Sequence, residues 1–109
     1  MTDYVAFSTA NSLDEAKNLA HLAVELKLAA CVQIVPQIIS VYRWRREINE
    51  DKEFLLIIKT TKKCFTKLKV LWKKEHSYQV PELVAFEIKD GLDPYLEWLK
   101  ESCVGGEKS

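Results

Sequence analysis

Ile38-Ile39-Ser40-Val41-Tyr42-Arg43-Trp44, followed by Arg45-Arg46, a return through residues 47–52 and then Glu53-Phe54-Leu55-Leu56-Ile57-Ile58-Lys59, is the most informative stretch of this 109-residue chain. Side chains alternate across a strand, so Ile39 and Val41 share one face while Ile38, Tyr42 and Trp44 share the other. Both faces then carry large apolar groups, which a sheet with one wet side does not need. Arg45-Arg46 is read as a tight reversal. Residues 53–59 are read as a buried central strand with charged ends. A long ribbon that is apolar on both sides has more oily surface than one small chain can cover. It predicts an oligomer in which subunits cover each other's sheets.

The segments on either side complete the topology. Residues 28–35 are too short and too continuously apolar for a helix, and Pro36 removes an amide donor just after them, which implies a bend or bulge. Before them, Leu13, Ala16, Leu19, Ala20, Ala23, Val24 and Leu26 recur at three- and four-residue steps, an amphipathic helix running to about Lys27. Ser12 and Glu15 read as a capping box at its start. Residues 4–9, rich in aromatic and β-branched residues, form the first strand. After the ribbon, Thr60 or Thr61 caps a second helix to about Glu75, with Phe65, Leu68, Leu71 and Trp72 on its apolar side. Residues 76–81 are a loop, residues 83–89 a fourth strand, and Asp90-Gly91 a turn. Asp93 is expected to cap a third helix with Pro94 in its first position. The order is βαββαβ plus a C-terminal helix. That is an α+β, ferredoxin-like sandwich with two helices on one face of a four-stranded antiparallel sheet. Residues 1–103 make a single domain and residues 104–109 a flexible tail.

Composition removes several classes of function. Sixteen basic residues balance sixteen acidic ones, so no global field draws the chain onto nucleic acid or an anionic membrane. The longest apolar runs, residues 28–32 and 54–58, fall far short of the roughly 20 residues of a membrane span. The first residues lack a basic segment followed by an apolar one, so no secretory signal is read and a cytoplasmic location is expected. Cys31, Cys64 and Cys103 include no CxxC pair, which argues against a disulfide framework, a four-thiolate zinc site or an iron–sulfur cluster. Reduced thiols fit best.

The candidate chemistry is correspondingly sparse. Cys31 and His76 are the residues suited to copper or another soft or borderline metal. Two ligands do not complete a site, and Glu75, Glu82 or a group from a neighbouring subunit would have to supply the rest. The competing reading makes Cys31 a small buried hydrophobe and His76 a partner for helix-terminal carbonyls. Tyr78, Pro81 and Glu82 are read as lining a cleft between subunits, with Lys59 offering a cation to a small anion. Loop closure and strand capping compete for the same residues. No Ser/His/Asp order, phosphate loop or nucleotide fingerprint accompanies them, so catalysis is not indicated. Lys59, Lys62, Lys63, Lys67, Lys69, Lys73 and Lys74 precede the next acidic residue, Glu75. A solvated helix face explains that series better than nucleic-acid binding, because stacking aromatics are missing. His21 is read as a surface residue, and Trp44, with Tyr42, as an intersubunit contact.

Five spaced segments carry a family resemblance: Leu28-Ala29-Ala30-Cys31-Val32 with Pro36; Tyr42 with Trp44; Leu55-Leu56-Ile57-Ile58-Lys59-Thr60; His76-Ser77-Tyr78-Gln79-Val80-Pro81-Glu82; and Tyr95-Leu96-Glu97-Trp98. Together they span nearly the whole chain and resemble the CutA divalent-cation tolerance family. The resemblance implies a homotrimer similar in architecture to the PII signalling proteins, a cytoplasmic location in bacteria and a response to copper and other divalent metals. The alternative within this architecture is a signalling or scaffold trimer that binds a small metabolite or partner segment at intersubunit clefts. The chain departs from the family pattern at four places. It has Ser77 in place of a proline between His and Tyr, and Arg46 in place of a turn glycine. Ser8 and Glu75 stand where some members carry a cysteine and a second histidine. A copper site built on those last two groups would be incomplete here.

Overall fold

A computed structural model of the chain describes residues 2–107. The elements are β1 (Asp3–Ala10), α1 (Leu13–Glu25), β2 (Cys31–Trp44), β3 (Glu47–Thr61), α2 (Lys62–Glu75), β4 (Val84–Glu87) and α3 (Asp93–Ser102), followed by a 3-10 turn over Gly105–Glu107. All pairings in the sheet are antiparallel and its order is β2-β3-β1-β4, the ferredoxin-like arrangement expected from the sequence.

Local chemistry sets the helix ends. Ser12 accepts from the Glu15 amide at 3.1 Å, one half of the capping box. The other half is diverted: the Glu15 carboxylate accepts from the backbone N–H and hydroxyl of Ser77 instead. At its C-terminus α1 closes with Leu28 N–H donating to the Ala23 carbonyl and Lys27 N–H to that of Val24, with Lys27 at φ 59°. This is the helix stop that favours glycine, made here by lysine. Residues 28–30 therefore turn into the core, and β2 begins at Cys31 rather than at residue 28. Thr61 caps α2 by accepting from Cys64 N–H. Asp93 does not cap α3: Leu92 holds the cap position without a side-chain hydrogen bond, which places Asp93 and Pro94 inside the first turn.

The residues expected to form a tail from 104 onward are held in place as far as they are described. Gly105 N–H donates to the Lys27 carbonyl at 2.9 Å, and Lys67 Nζ reaches the Gly105 carbonyl at 3.1 Å. A Cβ at Gly105 would lie 2.3 Å from the Leu26 carbonyl oxygen, so this close approach requires glycine. Residues 108 and 109 lie outside the described residues.

Helices α1 and α2 cover one face of the sheet. Ala6, Leu56, Ile58, Leu19, Leu68 and Trp72 form its centre, each almost wholly buried. The register puts Val5, Phe7, Leu55, Ile57, Val84 and Phe86 on the opposite face. Helix α3 reaches that face at one end only, where Tyr95 Oη lies 3.8 Å from Cys31 Sγ and Lys100 pairs with Asp3 at 2.7 Å. Between Val35 and Ile38 the β2 strand bulges by one residue, with Gln37 at φ 49°. The extra residue flips the parity of β2, so that Ile38, Ser40, Tyr42 and Trp44 continue on the bare face. Beyond Glu53 the β2–β3 hairpin outruns the helices. Ile39, Val41 and Ile48, on its other side, are about two-thirds exposed.

Candidate functional site

A concavity of about 840 Å³ lies between the base of the hairpin and the 76–82 loop. Its position follows from how that loop is tied down. His76 is buried at the end of α2, where its Nε2–H donates to the Thr9 carbonyl at 2.7 Å and its Nδ1 accepts from the Tyr78 N–H at 3.1 Å. Both ring nitrogens are thus engaged, and the ring stacks at a tilt on Tyr78, 4.7 Å between centroids. Glu15 holds Ser77 from α1. At the far end of the loop, Ser8 donates to the Glu82 carbonyl at 2.7 Å while accepting from Trp72 Nε1 at 2.7 Å. Ser8, at the position of the missing cysteine, is therefore a buried tie between sheet, helix and loop.

The loop presents Tyr78 to the cleft, and its hydroxyl donates to Glu53 Oε2 at 2.6 Å. Glu53 is only 7% exposed. Burial first, and the Glu53 carboxylate second, push the Tyr78 hydroxyl well above the ordinary tyrosine range. On the hairpin wall Tyr42 donates to Asp51 Oδ2, and this bond raises the Tyr42 pKa. Glu82 on the opposite rim is raised by partial burial and by the Glu53 charge. Trp44 completes the hairpin wall, with the Arg45 guanidinium 5.6 Å from its ring centre.

Several residues singled out from sequence sit elsewhere. Cys31 pairs across the sheet with Lys59, which pairs with Val5, whereas His76 is fixed to Thr9. Four residues of β1 separate the two positions, about 13 Å at strand rise. Within one chain the register thus holds Cys31 and His76 apart. The residues do not fit a shared ion, because the histidine's nitrogens are both in use and the described residues contain no group of three or more His, Cys, Asp or Glu side chains able to hold a metal. Lys59 does not face the cleft either. It donates to Gln33 at 2.9 Å, six residues of β3 from Glu53, about 20 Å. Glu75 is exposed at the end of α2, and the α2 lysines lie on its solvent face, as expected. Tyr42 and Trp44 line the cleft, each 41% exposed.

Glu53 was legible only as the charged end of a strand. The signal available in the sequence was its parity: it falls in line with Leu55 and Ile57, a carboxylate on an apolar face, which calls for a partner. Asp51 and Glu15 carried no comparable signal.

The family model described as CutA1 divalent ion tolerance protein matches residues 4–102. A divalent-cation tolerance protein CutA of Thermus thermophilus is 48% identical over 98 residues, covering 90% of this chain and 95% of that protein. A chloroplastic CutA of Arabidopsis thaliana is 46% identical over 90% of this chain, which spans only 54% of the plant protein's length. The crystal structure of CutA1 from Oryza sativa superposes with a TM-score of 0.91 at 44% identity, covering 94% of each chain.

Proposed function

Because the chain belongs to the CutA1 divalent ion tolerance protein family, we propose that it acts as a non-enzymatic, homotrimeric protein of divalent-cation tolerance. Its working site in this reading is the cleft between the hairpin and the 76–82 loop, closed by a neighbouring subunit. The observation that carries this reading is the bare face of the sheet. Phe86 is 56% exposed there beside Val84 on one edge strand, Val35 is part-exposed on the opposite edge strand, and the hairpin that continues the sheet is apolar on both sides. An uncovered surface of that kind is costly in water and is ordinarily covered by another subunit. The resemblance to a PII-like trimer supports three copies. The Thermus thermophilus relative is named for tolerance and not for a reaction. The reading assigns the response to metal ions to the assembled protein and not to an ion held between Cys31 and His76. Three free thiols fit the reducing cytoplasm, the location we assign.

Size-exclusion chromatography with light scattering tests the assembly. The expected result is three chain masses at micromolar concentration, falling in Trp44→Asp, which would bury a charge between subunits. A stable monomer at that concentration sinks the reading. Calorimetric titration of Cu(I) and Cu(II) into wild type, Cys31→Ala and His76→Ala should give matching isotherms. Loss of binding in both variants would restore the pair as a metal site.

A further inference from the structure

The cleft carries a charge and a shape that narrow what can occupy it. Asp51, Glu53 and Glu82 line it against Lys52 and, at its rim, the Arg45 guanidinium that reaches Gln79 at 3.5 Å, so its net charge is negative. Three aromatic rings, Tyr42, Trp44 and Tyr78, line it as well. Its volume lies in the range of small-molecule sites, roughly 300–1,000 Å³. Glu53 is the decisive group. It is more than nine-tenths buried, yet only its Oε2 is engaged, by Tyr78, and no hydrogen bond reaches its Oε1 among the described residues. That oxygen is also not sealed inside the packed interior, since Asp3 Oδ1 is the one described side-chain atom both fully enclosed and without a partner. A buried carboxylate with an unengaged oxygen opening onto a cavity is an acceptor waiting for a cationic donor.

We propose that the cleft binds a small organic cation, an alkylammonium or alkylguanidinium compound, its charged head between Glu53 and Glu82 and its stem against Tyr42, Trp44 and Tyr78. The proposal rests on reading this cleft as the working site, and it reverses the charge expected from sequence, where Lys59 was to offer a cation to a small anion. Aromatic faces attract ammonium and guanidinium groups, and Trp44 already carries one guanidinium, that of Arg45. The Tyr78 hydroxyl holds the Glu53 carboxylate in place without neutralising it. A divalent ion fits less well. It needs about six oxygen ligands, whereas one oxygen of Glu53 and one of Asp51 are already engaged by tyrosine hydroxyls. The rings would offer it nothing.

Three probes carry a short alkyl stem and differ in the head: butylamine, butylguanidine and butyric acid. Binding to the full chain is read by calorimetry and by Trp44-sensitive fluorescence, with manganese chloride as a fourth titrant. The expected order is butylguanidine and butylamine at least tenfold tighter than butyric acid. Glu53→Gln, which keeps an acceptor for Tyr78, should weaken the two cations tenfold or more, and Glu82→Gln, on the exposed rim, several-fold. Equal binding of the cation and anion probes, or a cation preference unchanged in both variants, overturns the proposal. So does tight manganese binding without binding of the organic cations. Light scattering on the same samples separates this outcome from that of the assembly. A trimer indifferent to the cations removes only the ligand, and a monomer that binds them removes only the trimer, since each chain supplies all the groups named.

Discussion

Ile57 and Ile58 are neighbours in the chain, in the same strand, yet they belong to different parts of the molecule. Ile58 is fully buried under the helices with Leu56 and Ala6. The polar groups on that side are satisfied from within: Trp72 donates to Ser8, Ser8 to the Glu82 carbonyl, and Thr60 to the Leu28 carbonyl at 2.6 Å. Ile57 faces the other way, beside Phe7 and Gln33, on a side left half-open along its length. Strand propensity cannot tell two isoleucines apart. Parity alone assigns one to the chain's own core and the other to whatever covers the sheet. The helix-covered face therefore encodes stability of the single chain, and in the trimeric reading proposed above the bare face encodes association.

The sharpest way to break this contrast is a pair of substitutions one residue apart. Ile58→Ala should cost about 2–5 kcal/mol by leaving a cavity, visible as a denaturant midpoint lowered equally at every protein concentration. Ile57→Asp should leave the helix-covered core in place and instead reduce the mass seen by light scattering, removing the concentration dependence of unfolding. If both gave the same concentration-independent loss, the two faces would not divide the work in this way.

The helix-covered face was the more legible of the two. Capping by Ser12 and by Thr61, the apolar stripes of both long helices and the strand alternation are local signals, and the topology follows from their order. The bare face was legible as a surplus of oil along the hairpin. What escaped were features fixed by pairing across the chain. The one-residue bulge at Pro36-Gln37 decides which side Tyr42 and Trp44 take. The register of β3 carries Lys59 and Cys31 away from His76. Glu15 abandons its own helix end for Ser77, 62 residues away, and Trp72 reaches Ser8 across 64. None of these partners is visible within a window of sequence, and together they shape the cleft.

The next effect in size concerns the seal at the bottom of the helix-covered side. Gly105 and Gly106 lie against Leu26 and Cys64, with no room for a Cβ. Gly105→Ala should cost about 1–3 kcal/mol through overpacking, and it should speed the reaction of Cys64 with a thiol reagent. Cys31, at the other side of the sheet and half-exposed, should react at an unchanged rate. Faster labelling of all three thiols would point to general loosening instead of a lifted seal.

Alkaline titration sharpens the same contrast. Burial, with the neighbouring Cys64 as a secondary cause, pushes the Cys103 thiol up from 9.0 to about 12. The folded chain keeps this proton where the unfolded chain would lose it. The associated stability is complete below pH 9 and declines as pH rises from about 9 towards 12, by up to about 1.4 kcal/mol per pH unit. Tyr78, also raised, acts with the same sign. Cys103→Ala should flatten the decline measured by urea unfolding between pH 8 and 10.5, whatever its effect at neutral pH. A slope identical to wild type would mean that the thiol is not the group losing its proton.

The smallest effect lies at the hairpin tip, the far end of the bare side. Arg45 and Arg46 have φ of 51° and 71°, the paired left-handed conformation of the two-residue turns whose twist suits a hairpin. Non-glycine residues are strained there. Arg46→Gly removes a Cβ without touching the core, and the strain it relieves exceeds the entropy glycine adds to the unfolded chain. The expected gain is about 0.5–1 kcal/mol in unfolding free energy. Because the tip lies beyond the helices, this gain should leave Ile58→Ala untouched and add to it in the double variant. If the two were strongly non-additive, the hairpin and the helix-covered core would be one cooperative unit, and the division between faces would have to be redrawn at the bulge.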